Sequence, residues 1–244
     1  MTAAGGPDPA VTTAVGVVTP FDFAIDREIW RWTPPEINLL LTRTPYVDEP
    51  VNLALAEAVS DEDAVRRATR DVLVPEPASV AYACTSGSFV GGRAGERRLV
   101  EAMCSAGAPQ AVTTSGALLE AIELLGVRRI AVATPYVEEV TERLAKFLAE
   151  AGVSVVSRGQ LGLDARIWTV PYDVTSRLVR ETDSADAEAV FVSCTNLPTY
   201  DVIAPLEDEL GKPVITANQV TMWAALRQAG SRAVGAGQRL LAAG

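Results

Sequence analysis

The sequence predicts an α/β fold built from two related lobes, each a mainly parallel sheet flanked by helices. Three observations predict it. Short β-branched runs alternate with longer helical patterns, the order that builds a parallel sheet. Several of those runs are apolar throughout, which suits strands covered on both faces. One stretch also recurs: "TPFDFAIDRE" at 19–28 and "TPYVEEVTER" at 134–143 each follow an apolar strand, "VGVV" or "IAVA", at an offset of 115.

Taken in order, "MTAAGGPDPAVTT" reads as a flexible tail over 1–13. "AVGVVT" at 14–19 is the first strand and "INLLLTR" at 37–43 the second. The aromatic-rich "EIWRWTPP" between them, at 28–35, reads as a lid or subunit contact, because Trp30 and Trp32 are too close in sequence to share a helix face. A helix over 51–72 leads to the strand "ASVAYAC" at 78–84, which ends on Cys84. A helix over 94–106, a strand over 110–114 and a helix over 115–126 follow, the last opened by a capping "TTSG". The second half places strands at 130–134, 153–158, 189–194 and 213–217, and helices at 136–151, 173–183, 202–211 and 219–229. Residues 14–120 plus 215–232 are expected to form the first lobe, 121–214 the second, and 233–244 another flexible tail.

Composition narrows the function. The chain has 244 residues, 48% hydrophobic and 21% charged, with net charge −10. That balance argues against nucleic acid or an anionic membrane as partner. No apolar run approaches the ~18 residues of a membrane span, and the first residues lack a basic-then-apolar leader. Three cysteines make no disulfide framework, so a cytoplasmic location is expected. There is no histidine, which removes Ser-His-Asp and Cys-His catalysis and His-ligated metal sites. Without a CxxC, a structural zinc site is not expected either, and the metal expectation is none. An enzyme made of these residues draws its acids and bases from Cys, Asp, Glu or Tyr.

Two cysteines stand in matching contexts. "AYACTSGSF" at 81–89 and "VFVSCTNLP" at 190–198 put Cys84 and Cys194 at strand ends, 110 residues apart. They occupy the same place in the two repeats, on the sheet edge where α/β ligands bind, so they are expected to flank one cleft. The small, turn-forming residues after each cysteine can aim N–H groups at a thiolate or a carboxylate, lowering a thiol pKa. Buried packing is the alternative for either cysteine alone, and it is the expected role of Cys104. Arg43 and Arg158, also repeat-equivalent, are candidate carboxylate ligands.

These motifs, with "PVITANQVTMWAAL" near the C-terminus, resemble the aspartate/glutamate racemase superfamily, in the branch holding maleate cis-trans isomerase and arylmalonate decarboxylase, over roughly residues 14–230. The resemblance implies two pseudo-symmetric Rossmann-like lobes with the site between them, no cofactor, a small carboxylate substrate, and a homodimer or higher homo-oligomer. It implies that Cys84 is nucleophile or first base, Cys194 the partner acid/base, and Tyr136 a carboxylate ligand. Thr85, Ser86, Thr195 and Asn196 are the expected hydrogen-bonding groups. The decarboxylases keep only the second cysteine, so the pair favours an isomerase or racemase; an arylmalonate-type decarboxylase and a non-catalytic carboxylate-binding protein remain as alternatives. Maleate isomerases carry "PSSNTTME" after the first strand, where this chain has "TPFDFAID", and Asp164-Ala165 replaces a second asparagine motif. Asp22 would repel a substrate carboxylate by roughly 1–4 kcal/mol at contact. It either greets a cationic or hydrogen-donating group or caps a helix.

Overall fold

The computed structural model describes residues 13–244. The tail expected over 1–13 lies outside them, except Thr13, which already belongs to the first strand. Strands β1 (Thr13–Thr19), β2 (Ile37–Arg43), β3 (Ser79–Tyr82) and β4 (Ala111–Thr113) form one sheet, in the order β2-β1-β3-β4. Strands β5 (Arg129–Thr134), β6 (Ser154–Gln160), β7 (Ala189–Val192) and β8 (Val214–Thr216) form a second, in the order β6-β5-β7-β8. The two orders are one pattern used twice, and every strand pair is parallel. The α/β class and the repeat are therefore as the sequence predicts. The central strands are buried on both faces, Val15, Val17, Val18 and Ile130 through Ala133 among them, which explains their unbroken apolar runs.

The helices are α1 (Asp26–Trp30), α2 (Leu53–Ala58), α3 (Glu62–Leu73), α4 (Thr85–Phe89), α5 (Gly92–Ala106), α6 (Thr114–Leu124), α7 (Glu138–Glu150), α8 (Tyr172–Thr182), α9 (Ile203–Leu210), α10 (Ala217–Gln228) and α11 (Arg239–Ala243). The helix expected over 51–72 is two helices. Asn52 accepts a hydrogen bond from the Leu55 N–H (2.9 Å) and Asp61 one from the Ala64 N–H (2.7 Å), so each starts a helix of its own. Helix α3 lies so close to β1 that a Cβ on Gly16 would sit 2.8 Å from Val72 Cγ2. Helices α1, α4 and α11 are five residues each, too short for a periodic signal.

Helix α10 follows the second sheet but packs on α6, β3 and β4 of the first half, and touches β8 and α1. It is buried from Ala217 through Leu226, Asn218, Gln219 and Thr221 included, so it shows no single apolar stripe. A Thr216–Gln219 capping box starts it. The 233–244 segment, expected to be a flexible tail, is packed instead. Val234 N–H donates to Trp32 O (2.9 Å), Gln238 Oε1 accepts from Trp32 Nε1 and Gln219 Nε2, and Leu240 is buried. This also corrects the lid reading of 28–35: Trp32 is a core residue, and of the two tryptophans there Trp30 alone is exposed. Among the described residues no helix is long and apolar enough to cross a membrane.

Candidate active site

Cys84 and Cys194 leave equivalent strands, β3 and β7, and both turn into one cavity of ≈ 30 Å³ between the halves. They are not the last strand residues, as expected, but lie two positions beyond, in the turns that follow. Cys84 is the N-cap residue of α4, in extended backbone. Cys194 has φ +88, a left-handed conformation that costs an L-residue about 1–3 kcal/mol. Six of the residues expected at the site line this cavity with the cysteines: Asp22 and Tyr136 from the loops after β1 and β5, Thr85 and Ser86 beside Cys84, Thr195 and Asn196 beside Cys194.

Both thiols are protonated at rest. The N–H groups after each cysteine were expected to lower its pKa, but burial outweighs them. It pushes Cys84 up to about 11, against hydrogen bonds with the Gly87 N–H, the Tyr82 hydroxyl and Ser86. It pushes Cys194 up to about 12, against the Tyr136 hydroxyl and the Asn196 N–H, which lies 3.4 Å from the sulfur. The Asp22 charge adds to both shifts. Each thiol thus has one tyrosine hydroxyl and one backbone N–H as partners. Tyr136 also accepts from Ser193 Oγ (3.5 Å) and meets Phe89 edge-on.

Thr85 Oγ1 is buried and without a hydrogen-bond partner, which makes it available to a ligand in the cavity. Asn196 is engaged differently from the expected substrate contact. Its Nδ2 donates to Asp22 O (3.0 Å) and Asp22 Oδ2 (3.3 Å), and its Oδ1 accepts from the Ala24 N–H (2.9 Å). It fixes the loop that presents Asp22. Asp22 is not a helix cap, because α1 begins at Asp26 with Ile25 before it. Burial raises the Asp22 pKa, and its own backbone N–H and Asn196 oppose the shift.

Two residues here, Tyr82 and Glu28, escaped sequence reasoning, and Gly87, expected as a hydrogen-bond donor, has a second role. Tyr82 lies beneath Cys84, its hydroxyl hydrogen-bonded to Val59 O; it was legible only as part of an apolar strand. Gly87 leaves room for the Cys84 sulfur: a Cβ there would stand 3.1 Å from it. Glu28 is buried and accepts from the Thr199 N–H (3.0 Å) and Thr199 Oγ1 (2.9 Å) across the two halves, its pKa raised by burial. Arg43 and Arg158 are not cavity residues. Arg43 pairs with Asp26 (3.0 Å), and Arg158 is exposed on β6. "TTSG" is a cap, Thr113 accepting from the Gly116 N–H. Cys104 is exposed on α5, not packed in the core as expected. Among the described residues no group of three or more Cys, Asp or Glu could hold a metal.

The cavity's chemistry is that of two thiols, one carboxylate, hydroxyls and backbone N–H groups, with no lysine, arginine or histidine in its wall. Residues 54–241 match the arylmalonate decarboxylase family. An arylmalonate decarboxylase from Bordetella bronchiseptica is 37% identical over 160 residues, covering 64% of this chain and 67% of that protein. A maleate isomerase from Pseudomonas putida is 29% identical over 183 residues, covering 72% and 71%. A crystal structure of arylmalonate decarboxylase superposes with a TM-score of 0.78 at 30% identity, covering 94% of this chain and 99% of that one. The maleate isomerase Iso from Pseudomonas putida S16 shares the fold, with a TM-score of 0.82 at 23% identity and coverage of 96% and 100%.

Proposed function

The chain belongs to the arylmalonate decarboxylase family, and from that premise we propose that it is a cofactor-independent isomerase or racemase of small carboxylates, working through Cys84 and Cys194. One observation carries the reading: each half of the molecule sends one thiol into the same cavity. Two thiols on opposite sides of one carbon are what a two-base reaction needs, and a binding site needs neither.

Neutral donors hold the substrate carboxylate: Thr85 Oγ1, Ser86, Tyr136 and nearby N–H groups. In racemisation one cysteine, as thiolate, takes the α-proton. The C–H pair moves into the carboxylate, and the other thiol gives its proton to the opposite face. In isomerisation Cys84 Sγ bonds to one alkene carbon while the π pair moves to its neighbour. After rotation that pair re-forms the double bond and expels the thiolate. With a pKa of about 11 for Cys84, the thiolate is roughly a 10⁻³ fraction at pH 8, equivalent to about 4 kcal/mol. Substrate binding has to recover that cost. The proposed working form is a cytoplasmic homodimer or larger homo-oligomer.

Decarboxylation is the second reading, favoured by the 37% identity to arylmalonate decarboxylase. There the C–CO₂ bond breaks and a single thiol protonates the carbon. Incubation of unsaturated diacids, amino and hydroxy acids and substituted malonates in D₂O, followed by NMR, separates the outcomes. Isomerisation without obligatory exchange, or α-deuteration with inversion, is expected. CO₂ release as the main outcome promotes the decarboxylase. Cys84→Ser and Cys194→Ser should each lower kcat by at least ~10³-fold, and near-normal turnover in either would sink the thiol pair.

A further inference from the structure

We propose that the substrate carries, besides its carboxylate, a cationic nitrogen substituent that Asp22 receives; this rests on the reading of the cavity as a carboxylate-processing site. Asp22 is the one formally charged residue in the cavity wall. It is also a held group: the amide of Asn196, from the other half of the molecule, donates to its carboxylate and to its backbone carbonyl. A second carboxylate on the substrate would meet Asp22 with no cation in the wall to offset it. The buried, unpartnered hydroxyl of Thr85 is a neutral donor suited to the first carboxylate, which leaves Asp22 for the other end of the molecule.

A second chamber of ≈ 240 Å³ shares Asp22 with the cavity and shows where that other end extends. Glu49 and Asp164 add negative charge to its wall, Arg166 is its single cation, and Phe21 and Trp168 offer aromatic faces. Carboxylates and ring faces together suit a cation. The same charge has a chemical use. Ionised Asp22 raises the pKa of both thiols, so a substrate cation beside it relieves that burden and favours the thiolate when substrate is bound.

The test uses three acids that share an α,β-unsaturated carboxylate and differ in the γ-substituent: γ-aminocrotonate (cationic substituent), 2-pentenoate (neutral substituent) and glutaconate (anionic substituent). Turnover is followed by NMR. Binding is read separately, as protection of the cavity thiols against alkylation in a Cys104→Ser background. Wild type should favour the cationic member by at least about tenfold over the neutral one, and by more over the dianion. Asp22→Asn, whose amide carbonyl can still accept from Asn196, should reduce that preference to within about threefold. Glu49→Gln should lower it by a smaller factor. Preference for glutaconate, undiminished cation preference in Asp22→Asn, or protection by none of the three overturns the proposal. The thiol mechanism fails separately: Cys84→Ser and Cys194→Ser that keep turnover refute it while leaving the cation preference standing.

Discussion

Replacing Gly87 by alanine isolates the space that the first thiol needs. Gly87 lies inside α4 and outside the left-handed region, so alanine meets no backbone strain. Helix propensity alone favours the change by up to about 1 kcal/mol. Sterics oppose it. The new Cβ would stand 2.9 Å from the Tyr82 hydroxyl, 3.0 Å from Val59 Cγ2 and 3.1 Å from Cys84 Sγ. None of the three yields easily, since Tyr82, Val59 and Cys84 are all buried and the Tyr82 hydroxyl is tied to Val59 O. Overpacking of this kind costs about 1–3 kcal/mol, so, set against the propensity gain, the net stability change is a loss of about 0–3 kcal/mol. Function should suffer more. The sulfur must give by a few tenths of an ångström and its bond from the Gly87 N–H is disturbed, for a loss in kcat approaching the ~10²-fold that a misplacement of about 1 Å brings. Urea unfolding, turnover, and the alkylation rate of Cys84 read by mass spectrometry in a Cys104→Ser background measure the three effects. A variant that is more stable, equally active and alkylated within about twofold of the wild-type rate refutes the reasoning.

The raised thiol pKa values have a definite sign. Folding favours the protonated thiols, so their contribution to stability is complete below the ordinary value of 9.0 and is lost as pH rises through about 11 and about 12. Alkylation of the two cavity thiols should accordingly keep accelerating through that range, and a plateau reached by pH 9 would contradict the burial argument. Glu28→Ala strands the buried Thr199 N–H that the carboxylate serves and leaves the Thr199 hydroxyl only Thr216 Oγ1 (3.2 Å), at about 1–3 kcal/mol for the unsatisfied N–H. A loss under about 0.5 kcal/mol in urea titration would show that water replaces Glu28 without cost.

The central strands β1, β3, β5 and β7 were legible because they are buried on both faces, and the edge strand β2 was legible from its apolar run despite partial exposure. "INLLLTR" at 37–43 matches β2 residue for residue. The pairing of Cys84 with Cys194 was legible through the repeat, since identical strand orders put equivalent turns at one cleft. What the sequence hid depends on contacts between distant residues. The packed C-terminal segment owes its place to Gln238 meeting Trp32 and Gln219, none of them marked by local pattern. Glu28 reads as a surface acid of a short helix until Thr199 is brought to it. The thiol pKa direction was misread for a similar reason: the turn residues that supply N–H groups are visible in sequence, whereas the burial that outweighs them comes from both halves closing over the sulfurs.

The left-handed backbone at Cys194 places that thiol against a selective gradient. Glycine adopts φ +88 without penalty, so folding alone rewards losing the side chain here, whereas Cys84 sits in extended backbone and feels no such pull. Lineages, or laboratory libraries, screened only for robustness would drift away from the second thiol before the first. Under the proposed mechanism, cysteine at 194 holds its thiol in place against about 1–3 kcal/mol of backbone strain.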